Sequence, residues 1–479
     1  MPTFRTIALL CLFLFSSLDA RMVDIAIIGG GPGGLAAALA LERNCPVGTT
    51  IRVFERDNFE PKGASIAISK GGWKDLRNVV PELFATLEPR IRSTGVSITS
   101  ITISGFDSTS PAESRFVRAM LRVVNGGSLV FQGLTAVANR LLRRRWNRPA
   151  IRMSHLWHDV RMALADAVSE KCGAGTICGG HSLVSLTELE GQGASSGFEL
   201  TFEVAPSSGS GEPEAAGAVK VVEKVSCGAV LACDGVGSSV RRLAVKEPKA
   251  SAVFTGEGRS VWRGVAPKIN LGGKASFFKG GSSKGGSSKG GDATSSGVVF
   301  PAGAAEGASW AIIAPLAEGR STDSASARLR ATEALEAACN GSSAPPLLVS
   351  AIGGSERVVE HRLFYRNFGE GAAPYAAATA GLSFLGDAQH PVRPTGQGVA
   401  LAWADAAALG KCCAEAAAAA LTELPPGAAP APFSADDMAG VLSAYEAMRE
   451  PEVRKVAARV DAAADASPRF FIRRNLYWK

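Results

Sequence analysis

The chain has 479 residues, 46% of them hydrophobic and 20% charged, which is enough apolar material for two or three packed domains and excludes a disordered polymer. A net charge of +7 and a pI near 9.0 are a mild bias over a large surface, too weak to attract nucleic acid without a clustered patch. Nine cysteines without a CxxC pair predict no disulfide framework, and most read as small buried hydrophobes; Cys412 and Cys413 are helix neighbours that point in different directions.

Residues 1–20 carry Arg5, a nine-residue apolar stretch from Ile7 to Phe15 and a small residue at Ala20. This is the layout of a signal peptide cut near Ala20, and the stretch is far short of the roughly 20 residues that span a bilayer. It directs the chain to the secretory pathway or an organelle; with Met22 as the start of the folded domain, the alternative is the cytoplasm. VDIAII (23–28), the glycines that follow, LAAALALERN and TTIRVFERD read as a βαβ start. Helical spacing recurs over 72–88 and over 155–170, where His155 and His158 stand at i and i+3 as packing or surface residues, not metal ligands. The basic cluster at 140–152 reads as a solvated helix end.

FELTFEV (198–204) alternates as a half-buried strand, and 219–235 reads as a further strand pair. Between 254 and 368 short β-like segments dominate, predicting a sheet-rich second domain. Within it GGSSKGGSSKGG (280–291) is a flexible loop, and its GxSxG at Gly281, Ser283 and Gly285 lacks the strand and helix that a nucleophile elbow requires. After residue 400 the chain reads as helical, with Ser434 and Asp437 as a capping box and a kink or break at Pro451.

Three constellations carry chemistry. Gly29, Gly31 and Gly34 form a GxGxxG between strand and helix: one glycine for the tight turn, one for close approach of a pyrophosphate, one for strand–helix packing. Gly33 lies in the same turn, and Glu55 closes the second strand where a carboxylate accepts ribose hydroxyls, with Arg56 beside it. The fingerprint serves NAD and FAD alike. Asp234 and Gly235, followed by Ser238 and Arg241, make a polar edge after an apolar strand. GDAQHPVRPTGQG brings Gly386, Asp387, Pro394, Gly396, Gln397 and Gly398 to the start of a helix, whose bare N–H groups favour an anion.

In this order the three resemble the flavoprotein monooxygenases typified by para-hydroxybenzoate hydroxylase: GxGxxG with a terminal acid, a DG motif, and a GD motif leading through GQG to a helix with Asp405-Ala406. KGASIAIS (62–69), VWRG (261–264) and YEAMREPEV are also similar to the family, so the resemblance spans most of residues 22–460. It implies an α/β fold of two domains: an FAD-binding Rossmann-type domain over 22–250 with inserted segments near 90–150, a β-sheet substrate domain over 251–375, and a return to the FAD domain with C-terminal helices over 376–479. It implies FAD as cofactor, with Asp387 on the ribityl chain and the helix after Gly398 facing the flavin pyrimidine edge. NADPH or NADH would reduce the flavin, O₂ would add to give a C4a-hydroperoxide, and one oxygen would pass to a small aromatic or unsaturated substrate. The resemblance demands no side-chain nucleophile, and the sequence assigns no catalytic acid or base. The alternative is a flavin oxidoreductase or flavin-binding protein without oxygen transfer; the WxWxIP of flavin halogenases is missing.

The chain departs from the family at Ala400, where many members have Asn, at Gln389, which replaces Ala, and at Trp157, where a flavin-contacting Arg is expected; Arg161 is the substitute. Trp262, Tyr365 and Trp403 are read as core residues that also suit an apolar pocket, His390 as a loop-ordering residue, and Arg263 as a partner for an acidic substrate, a cofactor phosphate or a surface carboxylate.

Overall fold

The computed structural model describes residues 21–61, 65–105, 151–189, 197–205, 221–244, 254–279, 295–303, 307–315, 321, 323–339, 343–366, 368, 374–377, 379–393, 396–425 and 430–464. The signal-like segment, the basic residues 140–148, the glycine–serine tract and Pro394 lie outside these residues.

The apolar run after Arg21 becomes the strand Arg21–Ile28, buried on both faces as the centre of a parallel sheet must be. Ile51–Phe54 and Val221–Ala232 flank it in parallel, Ile177–Cys178 extends one edge, and Leu382–Phe384 pairs in parallel with the end of Val221–Ala232. Alternation sends Ile25, Ile27, Val53 and Leu231 to one core and Ala26, Ile28, Phe54, Val230 and Phe384 to the other. Gly197–Val204 and His181–Leu189 continue the sheet antiparallel, packing Phe198, Leu200 and Phe202 into the second core.

Against the first face lies the helix Pro32–Asn44, buried from Pro32 through Leu41 except at Gly33. Such all-round burial suits its alanines, because it is sandwiched between the sheet and the helix Gly398–Thr422. Small residues set the spacing: a Cβ on Gly410 would stand 3.2 Å from that of Ala40.

A second sheet runs in the order Val358–Arg366, Phe254–Ala266, Ala308–Pro315, Ser296–Pro301, Lys274–Lys279 and Ser100–Gly105, antiparallel except for its last pair. The helices Ser324–Cys339 and Pro346–Gly353 cover it around Trp262 and Trp310. A small third sheet of Ser65–Ser69, Ile151–Leu156 and Gly95–Ser97 joins the two regions, with Ser154 Oγ donating to the Pro301 carbonyl and Ser65 N–H to Ser309 Oγ.

Four local expectations are corrected. The helix over 72–88 is two helices, Lys70–Val79 and Phe84–Ser93, because Pro81 disfavours helical backbone at Val80. His155 belongs to the strand Ile151–Leu156, and the helix begins only at Trp157, so the two histidines do not share a helical face. The pair of strands over 219–235 is one long strand, since Gly228 continues the ladder against Asp24 rather than turning. The last helix, Ala435–Ala464, runs unbroken past Pro451, and Ser434 and Asp437 cap it reciprocally. No helix among the described residues is long and apolar enough to cross a membrane.

Candidate functional site

The parallel strands stop in register. Ile28 pairs with Phe54 on one side and Ala232 on the other, and Ala232 with Phe384. The chain leaves each strand at the same edge, so the glycine turn, Glu55, the Asp234-Gly235 edge and the Gly386-Asp387 turn emerge side by side. Backbone bonds fix that alignment: Gly29 N–H to the Phe54 carbonyl, Cys233 N–H to that of Ile28, and Leu385 N–H to that of Ala232, at 2.7–2.9 Å. This edge, at the carboxyl ends of parallel strands, is where open α/β sheets bind ligands.

Four of the five glycines of the first turn do different work. Gly29 has φ +111°, and a Cβ there would press within 2.5 Å of the Cys233 carbonyl oxygen. On Gly34 it would fall 2.1 Å from the Gly29 carbonyl oxygen. Gly33 faces Leu385 and Ala402, so the first turn touches the third. At Gly31 the only neighbour among the described residues is the Trp157 ring at 3.8 Å, which leaves a cradle open at the start of the helix.

Glu55 Oε2 accepts from the Gly30 N–H at 2.6 Å and pairs with Arg161 Nη2 at 3.1 Å. Arg161 is buried, donates to the Gly30 carbonyl at 2.8 Å and to Asp57 Oδ1 at 2.9 Å, and stacks on Phe59. Its guanidinium therefore braces the glycine turn and orients Glu55. Arg56 is exposed beside them, and Trp157 opens the helix that carries Arg161.

Asp234 Oδ2 accepts from the amides of Ser239 and Val240 at 2.6 and 3.2 Å, capping the turn that begins at Gly235, whose φ is +78°. Its Oδ1 has no hydrogen-bond partner among the described residues, and burial raises its pKa. Arg241 crosses from this segment to the next, donating to the Ala388 carbonyl at 2.6 Å and to Gln389 Oε1 at 3.0 Å while lying on Phe384. Arg366 reaches the same Gln389 Oε1 at 3.0 Å from the second sheet, and Gln389 donates to the Tyr375 carbonyl. An alanine at 389 would remove the side-chain acceptor that both arginines share, leaving Arg366 only the backbone carbonyl of residue 389, to which Nη1 donates at 2.9 Å.

The third turn is anchored from below. Asp405, with no exposed surface, accepts from the Gly386 N–H at 2.9 Å and Arg449 Nε at 2.7 Å, and lies 2.7 Å from His390 Nε2. Burial alone would push its carboxyl up; His390 and Arg449 outweigh that and hold it below the ordinary range. His390 orders the loop, as its sequence position suggests. Asp387 is accessible to solvent yet walled by protein, so its pKa is raised by desolvation, against the opposing fields of His390 and Arg263. Gly396 has φ +77°, and Gln397 and Gly398 start a helix whose first-turn amides have no intrahelical acceptor.

Ala400 meets Gly72 at close range: a Cβ on Gly72 would be 3.2 Å from that of Ala400, so an asparagine has no room unless the helix Lys70–Val79 moves away. Trp262 and Trp403 are fully buried core residues, whereas Tyr365 is partly exposed beneath Arg393. Arg263 lies on the second sheet, 3.1 Å from His361 Nε2. Sequence reasoning missed Arg366 and Arg449. The second left a signal: it stands four residues after Tyr445, a charge on an otherwise apolar helical stripe.

Compared by sequence, the chain matches no family model and no curated protein. Compared by structure, it is similar to HpxO of Klebsiella pneumoniae complexed with FAD and uric acid (18% identity, TM-score 0.53, covering 91% of this chain and 86% of that one). It is also similar to CtdE in complex with FAD (12%, 0.57, 93% and 94%) and to PqsL of P. aeruginosa in complex with 2-aminobenzoylacetate (16%, 0.55, 95% and 100%). At such low identity the likeness is one of fold, and it runs nearly the whole length of each chain.

Proposed function

We propose that this chain is an FAD-dependent monooxygenase, reduced by NADPH or NADH, that transfers one oxygen atom of O₂ to a small aromatic or unsaturated organic substrate. The observation that carries the reading is the in-register ending of four parallel strands, which lines up three sequence-remote motifs along one edge.

The residues present fit FAD. The open cradle at Gly31 suits a pyrophosphate, with Gly29, Gly33 and Gly34 shaping the turn, and Glu55 suits the adenosine ribose with Arg56 and Arg161 around it. The oxygen of Asp234 left without a partner among the described residues, beside Gly235, suits a hydroxyl of the nucleotide. Asp387, accessible in its cleft, suits the ribityl hydroxyls, and Gly396, Gln397 and Gly398 present the helix end to the ring. When bound, the flavin supplies the chemistry that no side chain here can: acceptance of reducing equivalents and activation of O₂.

The protein then has to position and exclude. The first-turn amides of Gly398–Thr422 offer positive partial charge to whatever anion develops beside them. On this reading the second sheet, from which the charge of Arg263 reaches Asp387, covers the substrate and keeps water from the reacting atoms. On this reading residues 22–250 and 376–479 bind the cofactor and 251–375 cover the substrate.

Purified protein loaded with FAD, NADPH or NADH and a panel of small aromatic compounds in ¹⁸O₂ tests the reading. The expected result is cofactor oxidation accelerated by one compound class, with a single ¹⁸O atom in the product by mass spectrometry. Flavin reduction without labelled product favours the oxidoreductase alternative, and failure to retain FAD overturns both.

A further inference from the structure

The helices Pro32–Asn44 and Gly398–Thr422 each leave one of the proposed nucleotide turns, and the far end of the first packs against the middle of the second. Gly410 makes the meeting close: a Cβ there would stand 2.9 Å from Asn44 Nδ2. Cys413 is three residues further along the same helical face, and Cys45 follows Asn44 as the cap of the other helix. The two thiols lie along this seam, Cys413 within the apolar cluster and Cys45 packed against it, close enough for Cys45 to raise the pKa of Cys413. Cys412 is also buried, but neighbouring helical positions point about 100° apart, so it cannot occupy the same place.

We propose that Cys45 and Cys413 are a redox modification site, a dithiol that hydrogen peroxide converts to a disulfide joining the two helices. Cys45 is partly exposed and takes the oxidant first: its thiolate sulfur attacks the peroxide, the O–O bond breaks, and sulfenic acid and water form. The Cys413 sulfur then attacks the sulfenic sulfur, loses its proton and expels a second water as the S–S bond closes. Two thiols give up two electrons, and one peroxide becomes two waters. The order of attack follows from the surroundings: the neighbouring Cys45 thiol and then burial keep the Cys413 thiol protonated and unreactive toward peroxide on its own.

The experiment treats the folded full chain with a small excess of hydrogen peroxide, blocks remaining thiols with iodoacetamide, and digests with trypsin without reductant. Tryptic cleavage places Cys45 in residues 44–52 and Cys412 with Cys413 in residues 412–449. The expected result is these two peptides joined, lighter than their sum by two hydrogens and separated again by dithiothreitol. The cross-link is lost in Cys45→Ser and in Cys413→Ser and kept in Cys412→Ser. A cross-link that survives Cys413→Ser, or wild-type protein in which Cys45 is alkylated or driven to sulfinic acid while no cross-link forms, overturns the proposal. The wild-type digest decides the question even where a variant fails to fold.

Discussion

Gly31 and Gly34 lie three residues apart in one turn, and their surroundings predict opposite responses to a methyl group. At Gly34 the added carbon meets the Gly29 carbonyl, which belongs to the backbone and cannot yield, so Gly34→Ala should cost about 2–3 kcal/mol by urea unfolding. At Gly31 the methyl group enters open space. Gly31→Ala should therefore melt like the parent while FAD affinity falls on the order of tenfold, about 1.4 kcal/mol, by fluorescence titration. A stable Gly31→Ala that keeps parental affinity would place the phosphates elsewhere. His155 gives a second residue-scale expectation. Burial, and then Arg92, hold its pKa at about 4, so it is neutral in the fold, whereas the unfolded chain takes up the proton below about pH 6.5. Stability is lost as pH falls through that window, by about 2 kcal/mol between pH 8 and pH 5 from this residue alone. Chemical denaturation at the two pH values, repeated on His155→Leu, should show the slope shrink in the variant.

The packing of whole elements carries the site's rigidity. The helix Gly398–Thr422 packs against both the helix Pro32–Asn44 and the C-terminal helix, and its Asp405 ties the Gly386 turn to Arg449. Asp405→Asn leaves Arg449 buried against a neutral amide; the expected loss is about 3 kcal/mol, with weaker FAD retention because the turn presenting Asp387 loosens. Where this helix passes the helices Pro32–Asn44 and Lys70–Val79, a cavity of about 480 Å³ is lined by Asp75, Arg43, Lys411 and Arg449. Burial raises the Asp75 carboxyl to about 6, so the folded state holds its proton more tightly than the unfolded state does. That contribution is present at low pH and is lost as pH rises from about 4 to 6, the opposite sign to His155. Asp75→Asn should melt higher than the parent at pH 8 and nearly level with it at pH 4; a variant that melts lower at pH 8 would show the carboxylate to be stabilising. The element boundaries that sequence reasoning misplaced were local contests. Pro451 left its helix unbroken while Pro81 stopped one that apolar spacing alone would continue, because a long helix anchored along one face by Val453, Ala457 and Val460 outlasts one missing backbone bond.

At the scale of the whole molecule, the proposed ligand spans turns more than 350 residues apart in sequence, from Gly29 to Gly386 and beyond. One ligand held by all of them should protect all of them together. Hydrogen exchange with and without FAD should slow at residues 29–34, 234–240 and 396–402 at once, with a gain near 2.7 kcal/mol at a hundredfold excess over Kd. Protection confined to the first turn would mean that the nucleotide is held without its ring. The sequence alone determined the elements that short-range chemistry dictates: the glycine turn and its helix, the acid that ends the second strand, the capped last helix, and the order of motifs that resembles a flavoprotein hydroxylase. The structure adds the fold that the likeness implied, over nearly the full chain. Register and burial belong to the tertiary structure alone. Nothing local to Ala232 says that it will stand beside both Ile28 and Phe384, nor does anything near Gln389 announce that arginines 241 and 366 will converge on its amide. Those pairings are set by which apolar faces must be hidden and by which buried polar atoms must then find partners, and both depend on the whole chain closing at once.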